Sequence, residues 1–217
     1  MSITKKVFPT GDQNRYGDSI MTVILNKDKK NRLGLPGLIR NFKGHCRTVR
    51  EHRRKVREHC VKAGIPIQGL FHDLSKYSPT EFFCGVRYYQ GNRSPNEGER
   101  EAYGFSYAWM HHKGRNKHHF EYWTDYDTVT KRMSPVKMPV RYVKEMFCDR
   151  VAASKIYNGK NYTDSDPLNY FLKAKTRRLE TRMIHPDTSR LLEKLLRMLE
   201  REGEEKTFAY VRRLKRY

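Results

Sequence analysis

The sequence has no apolar run long enough to cross a bilayer, no CxxC spacing among its four cysteines, no internal repeat and few stretches of strict apolar–polar alternation. The first absence argues against a helical membrane span. Met1 to Pro9 also lacks the apolar region of a signal peptide, so a cytoplasmic protein without a membrane partner is expected. The second leaves Cys46, Cys60, Cys84 and Cys148 as buried thiols rather than a disulfide framework or a zinc knuckle. The shortage of period-two segments points away from a sheet-based fold. Acidic residues are scarce too: 24 Asp and Glu face 45 Lys and Arg, a formal net charge of +21. A surface this basic attracts polyanions, so the expected partner is a nucleotide or other phosphorylated small molecule, with nucleic acid as the polymeric counterpart. Charge alone fixes no function.

What is present reads as helix. A length of 217 residues suits one domain with a core, plus an appended arm. Residues 1–36 mix polar, glycine and basic positions without a sustained period, and read as an arm with a short strand at Thr22 to Leu25. From Leu38 to Ala63 the pattern is helical, stopped by Gly64 and Pro66. Val49, His52, Val56, Cys60 and Ala63 share its apolar face, with His45 on the same side. Ser78-Pro79-Thr80-Glu81 and Ser94-Pro95-Asn96-Glu97 are capping signatures, the second opening a helix that runs toward His112 and ends at Gly114. Pro139 starts a helix to about Tyr157. Asp166-Pro167 and His185-Pro186 start two more, the last interrupted near Gly203. The expected architecture is all-α over residues 37–217.

The chemistry concentrates in His72-Asp73-Leu74-Ser75-Lys76. Adjacent His and Asp can ligate one metal ion together, and the carboxylate can bridge to a second. Further ligand types stand at His52, His111, His112, His118, His119 and Asp149. Asp149 lies on the otherwise apolar or aromatic stripe Tyr142, Met146, Ala153, Ile156. Burying its carboxylate there calls for a compensating cation, either a metal or an arginine such as Arg150. The segment from His111 to His119 mixes four imidazoles with Lys113, Arg115 and Lys117. Fixed positive charge disfavours protonated imidazole and keeps it ready to ligate, and the same cations suit substrate phosphates. A mixed His/Asp donor set fits one or two ions of Mn, Fe, Co, Ni or Zn better than Ca. The residues thus suggest a metal-dependent hydrolase. A nucleic-acid-binding adaptor with stacking aromatics such as Tyr88, Tyr89, Tyr122 and Trp123 is the competing class, and a nuclease would join the two.

The order His52, His72-Asp73, Asp149 resembles the H…HD…D signature of the HD-domain superfamily of metal-dependent phosphohydrolases. His72 to Lys76 resembles the HD-x-x-K form of the subgroup that hydrolyses cyclic dinucleotides. That subgroup's glycine-tyrosine-proline element is absent, so its substrate is not carried over. The stretches His72 to Gly91 and Trp109 to Trp123 more closely resemble an uncharacterised bacterial and phage family with an HD-like domain. The resemblance implies an HD-like helical bundle in which His52, His72, Asp73 and Asp149 hold a first metal. Asp73 would bridge to a second ion held by some of His111, His112, His118 and His119. Asp73 and Lys76 would serve catalysis, Lys113, Arg115 and Lys117 would grip phosphate, and Glu81 or Glu121 would position water. The expected activity is hydrolysis of a nucleotide or related phosphoester by metal-activated water.

Overall fold

The computed structural model describes residues 34–176 and 183–217. Of the arm expected over residues 1–36, only 34–36 are described, and Leu35 and Pro36 already open the first helix; the strand expected at Thr22 to Leu25 lies outside the described residues.

The chain is mostly helical. Helix α1 (Leu35–Lys62) begins with proline in its first turn and buries Asn41, His45, Val49, His52, Val56, His59 and Cys60 at steps of three and four. It stops at Ala63, where Gly64 takes a left-handed φ of +77° that favours glycine. A short helix α2 (Pro66–Phe71) leads into a 3-10 turn, Leu74–Tyr77. Ser78 then caps α3 (Pro79–Arg87) by accepting from the Glu81 amide. The Glu81 side chain does not close the capping box; it turns inward to His111 and His112.

The helix expected to run from Ser94 to His112 is two helices. Helix α4 (Pro95–Tyr103) ends at Gly104, whose φ of +83° breaks the helix, and Ser106 caps α5 (Tyr107–Lys113). The break is fixed by Glu99, whose buried carboxylate accepts from Ser106 Oγ at 2.5 Å and from the Ala108 amide at 3.1 Å. A 3-10 turn (Phe120–Tyr122) precedes a two-stranded antiparallel hairpin, β1 (Thr124–Asp127) and β2 (Arg132–Pro135). It was not legible as alternation in a polar stretch.

Helix α6 (Val140–Asn158) runs through the middle of the molecule, with Val143 to Cys148 all buried. It packs on α1, α7 (Asp166–Thr176) and α8 (Pro186–Arg213). The core they share includes Phe147, Val151, Phe171, Leu192, Leu195 and Leu199. Helix α8 is kinked at Gly203, with φ 76° and ψ 177°, and its start is capped by His185, whose Nδ1 accepts from the Asp187 amide. Lys144, buried in this core, donates to the carbonyls of Ala63 and Arg212 and so ties the ends of α1 and α8. Helices α1 and α6 form the frame: α2 and α3 pack on α1, and α5, which carries His111 and His112, packs on α3 and α4. Among the described residues no helix is long and apolar enough to cross a membrane.

Candidate metal centre

Each site residue arrives by a local structural cause. His52 faces inward from the middle of α1, and Asp149 faces it from α6. His72 and Asp73 sit in the break between α2 and the 3-10 turn. Asp73 is one of two described non-glycine residues with positive φ (54°), a left-handed conformation that Asp tolerates better than most. That conformation reverses the chain and directs the carboxylate inward. Arg53, next to His52 on α1, pins the same break by donating to the carbonyls of His72 at 2.9 Å and Leu70 at 3.1 Å. His112 comes from the last turn of α5. His118 and His119 come from the loop that follows, which Asn116 anchors by donating to Ser75 Oγ and to the His112 carbonyl.

Two donor groups that share Asp73 result, beside a smaller set formed by His72, His118 and Glu145. In the first, ligand atoms of His52, His72, Asp73 and Asp149 all lie within 4.8 Å of one another; in the second, so do those of Asp73, His112, His118 and His119. The two carboxylate oxygens of Asp73 divide between them. Oδ2 stands 3.4 Å from His72 Nε2 and 3.7 Å from His52 Nε2, while Oδ1 stands 3.4 Å from both His112 Nε2 and His118 Nε2. Asp149 Oδ1 lies 3.0 Å from His52 Nε2 and 3.5 Å from His72 Nε2. His112 Nε2 and His119 Nε2 face each other at 2.9 Å. Donors around one ion with bonds of about 2.1 Å stand roughly 3.0–3.4 Å apart, so these separations suit a coordination polyhedron.

Hydrogen bonding within the protein leaves these atoms unserved. Nε2 of His52, His72 and His118 and Oδ1 of Asp73 are buried and have no hydrogen-bond partner; the His52–Asp149 approach, though 3.0 Å, lacks hydrogen-bonding geometry. Orphaned buried polar atoms cost about 1–3 kcal/mol each, and four converging on two points amount to a cost that a cation removes. The donor set therefore fits a divalent metal.

A second layer orients the imidazoles. Glu145 Oε1 meets His72 Nδ1 at 3.0 Å and His118 Nδ1 at 3.2 Å, while Gln68 donates to Oε2 at 2.8 Å. One carboxylate oxygen thus holds a histidine from each donor group with Nε2 pointing inward. Glu81 does the same for His112 at 2.7 Å, and its other oxygen takes His111 at 2.7 Å. Carboxylate–histidine pairs of this kind fix the tautomer and strengthen the ligand.

The charges are mutually supportive. Burial pushes the Asp73 carboxyl up, but His72, Lys76 and His112 hold it well below the usual carboxylate range; His52 and His72 do the same for Asp149. Burial likewise opposes Glu145, yet hydrogen bonds from His118 and His72 bring it down to about 2. Burial, aided by Lys76, lowers His52; burial, aided by His118 and His112, holds His119 well below its ordinary value, as neutral ligands require. His72 is driven the other way, against burial, by Asp73, Asp149 and Glu145. Lys76 Nζ sits 2.7 Å from Asp73 Oδ2, the counter-cation of the carboxylate that the two groups share.

The sequence-based expectations divide here. His52, His72, Asp73, Asp149, His112, His118 and His119 meet in the two groups, and Asp149 faces the imidazoles of His52 and His72. His111 stands in neither group; its Nδ1 meets Glu81 Oε1. Lys113, Arg115 and Lys117 do not line the cavity over the centre. Arg115 donates to the His111 carbonyl, and Lys117 lies over the Tyr122 ring on the outside of the loop. The cavity, about 230 Å³, is lined instead by Lys76 and Arg93 among cations and by Tyr89, Trp109 and Tyr157 among rings. Glu81, expected to position water, orients histidines. Glu145 and Arg53 were not singled out from sequence. Glu145 had one signal, a carboxylate four residues before Asp149 on the same helix, where side chains share a face.

No curated protein and no solved structure matches the chain. Residues 41–198, most of its length and all of the donor groups, match one family, and the chain belongs to it: a family of unknown function (DUF5662).

Proposed function

We propose that this protein is a metal-dependent phosphohydrolase with an HD-like centre, acting on a nucleotide or related small phosphoester. The observation that carries the reading is the set of buried, unpartnered donor atoms converging on two points bridged by Asp73. A structural zinc site closes its ion with four protein ligands and has no need of a second donor group or a cavity. Here two groups share one carboxylate beneath a cavity lined by cations and aromatic rings. That arrangement suits a pair of divalent ions of the Mn, Fe, Co, Ni or Zn type. When bound, such ions supply Lewis acidity toward a phosphoryl oxygen and acidify water at neutral pH.

The chain's own residues then divide the remaining work. Asp73 holds both donor groups in register, and Glu145 and Glu81 keep the imidazoles aimed. Asp149, partly exposed to the cavity and held ionised, accepts a hydrogen bond from the attacking water. Lys76 remains cationic, with a pKa above its ordinary value: burial opposes the charge, but Asp73 outweighs it. It stands at the cavity wall where a phosphate oxygen would approach. Tyr89, Trp109 and Tyr157 offer ring faces to a flat base, and Arg93 lies at the rim, braced by Glu101 and Gln90. The order His52, His72-Asp73, Asp149 in the first group supports the HD-like resemblance.

The test is metal analysis of protein purified without chelator, followed by a panel of nucleotides, cyclic dinucleotides and other phosphoesters with each metal. Two ions per chain and metal-dependent hydrolysis of a panel member that disappears in Asp73→Asn are expected. Protein loaded with metal yet inert across the panel and across oligonucleotides would overturn the reading.

A further inference from the structure

The excess positive charge is not spread evenly. Helix α1 alone carries nine Lys or Arg residues against two Glu, a net of +7 from 28 residues. Six of the nine, Arg40, Lys43, Arg47, Arg50, Arg54 and Arg57, recur at steps of three and four and are all exposed. They form one stripe along the outer side of the helix, about 26 Å long at 1.5 Å per residue. Among the described residues only Arg54 of the six has an acidic partner, Glu58 at 2.7 Å. Like charges at these spacings repel by about 0.2–0.5 kcal/mol per pair, and the stripe contains five successive pairs. Left to water alone, the arrangement is a small but repeated cost to the helix.

We infer that this outer face of α1 is a docking surface for the phosphate backbone of duplex nucleic acid, separate from the metal cavity. Charge complementarity is the first argument: a line of cations about 5 Å apart faces a polymer whose strands carry a phosphate every few ångströms. Composition is the second. Five of the six are arginines, whose planar forks take phosphate oxygens bidentately where lysine offers a point charge. An anionic membrane is the rival polyanion, and a helix lying on one needs apolar side chains along the length of its contact face. Exposed apolar residues on α1 are confined to its ends, at Leu35, Leu38, Ile39, Phe42 and Val61, and none accompanies the cations from Lys43 to Arg57.

The placement also says what the bound duplex is not. His45 and His52 are buried on the opposite side of the same helix. At about 100° per residue, Arg47, Arg50 and Arg54 lie roughly 140–160° around the helix from His52. A duplex on the stripe is therefore screened from the donor groups by α1 itself, and the surface tethers the protein rather than presenting a strand for cleavage. This inference stands whether or not the centre hydrolyses phosphoesters.

The test is fluorescence anisotropy of the full chain with a labelled 20-base-pair duplex over a salt series. The stripe variant replaces Arg40, Arg47, Arg50 and Arg57 with Gln. A control removes four exposed cations elsewhere, Lys160, Arg201, Lys206 and Arg213, by the same change. The slope of log K against log salt should shrink by about 3–4 in the stripe variant, near 0.9 per lost phosphate contact, and by less than about 1 in the control. A third variant with Lys at the four stripe positions keeps the charge and should keep the slope within about one unit. The inference falls if wild type does not bind duplex at about 50 mM salt, where backbone binders hold well. It also falls if stripe and control variants lose equally, if the Lys variant loses as much as the Gln variant, or if only phosphatidylserine vesicles are bound through the stripe.

Discussion

Replacing Glu145 with Gln tests the layered design of the centre more sharply than removing a ligand. Its Oε1 serves His72 of the first donor group and His118 of the second, at 3.0 and 3.2 Å. Gln keeps the shape but removes the charge, and its amide faces Gln68 Nε2, a donor now 2.8 Å from Oε2. One of the two amides must flip or lose its partner. Loss of a carboxylate that orients a ligating histidine weakens metal binding by about 10–100-fold, or about 1.4–2.7 kcal/mol. Because one oxygen orients a histidine in each group, both binding steps should weaken by that amount. Glu81→Gln should weaken only the step that involves His112, since its second oxygen serves His111, which lies in neither group. Competition titration of apo-protein with Zn²⁺ or Mn²⁺ against a chromophoric chelator resolves the two steps, and thermal melts of the apo-forms check that each variant folds. Equal loss at both steps in Glu81→Gln, or loss at one step only in Glu145→Gln, would refute the shared-carboxylate argument.

Lys76→Met should keep metal stoichiometry near wild type while lowering turnover by about 10²–10³, as removal of one charge-stabilising group does; unchanged turnover would remove Lys76 from the chemistry. His59, buried against Phe208 with Nδ1 at the Cys148 carbonyl, has its pKa lowered to about 4, chiefly by burial. The folded state therefore resists a proton that the unfolded chain accepts near pH 6.5, so this contribution is complete above about pH 6.5 and is lost as pH falls toward 4. Urea melts at several pH values should show wild type losing stability through that window more steeply than His59→Gln, and parallel curves would contradict it. Ser106→Ala removes the cap of α5 and one partner of buried Glu99, and should cost about 1–2 kcal/mol in a denaturant melt. Phe147→Ala, emptying a fully buried ring position in α6, should cost about 3–5 kcal/mol by the same assay.

Local signals gave away the helices whose ends are marked by proline, serine and glycine. Ser78-Pro79, Ser94-Pro95, Pro139, His185-Pro186, Gly64 and Gly203 act within one turn of themselves, so their effect is written in the neighbouring residues. Gly104 went unread because a glycine inside a helical pattern is tolerated unless something holds the break open, and the Glu99–Ser106 contact that does so is visible only in three dimensions. The hairpin at Thr124 to Pro135 escaped for a related reason: no residue of its two strands is fully buried, so no apolar alternation records it.

The same division runs through the site. That His52, His72, Asp73 and Asp149 form a set was implied by the resemblance of their order to the H…HD…D signature, and the cost of burying the Asp149 carboxylate without a compensating cation pointed the same way. Which of His111, His112, His118 and His119 join a second set could not be read. His111 and His112 are neighbours in sequence, and only the position of Glu81 on another helix sends one to a carboxylate alone and the other to Asp73 as well. Likewise the cations nearest those histidines in the chain, Lys113, Arg115 and Lys117, lie away from the cavity, while Lys76 and Arg93 reach it from other segments. Sequence determined which side chains need a cation and where the helices opened by a proline or a capping serine-proline pair begin. The packing of α1 against α6, with α2 and α3 on α1 and α5 on α3, decided which of those side chains meet, because coordination and charge act over a few ångströms of space whatever the separation along the chain.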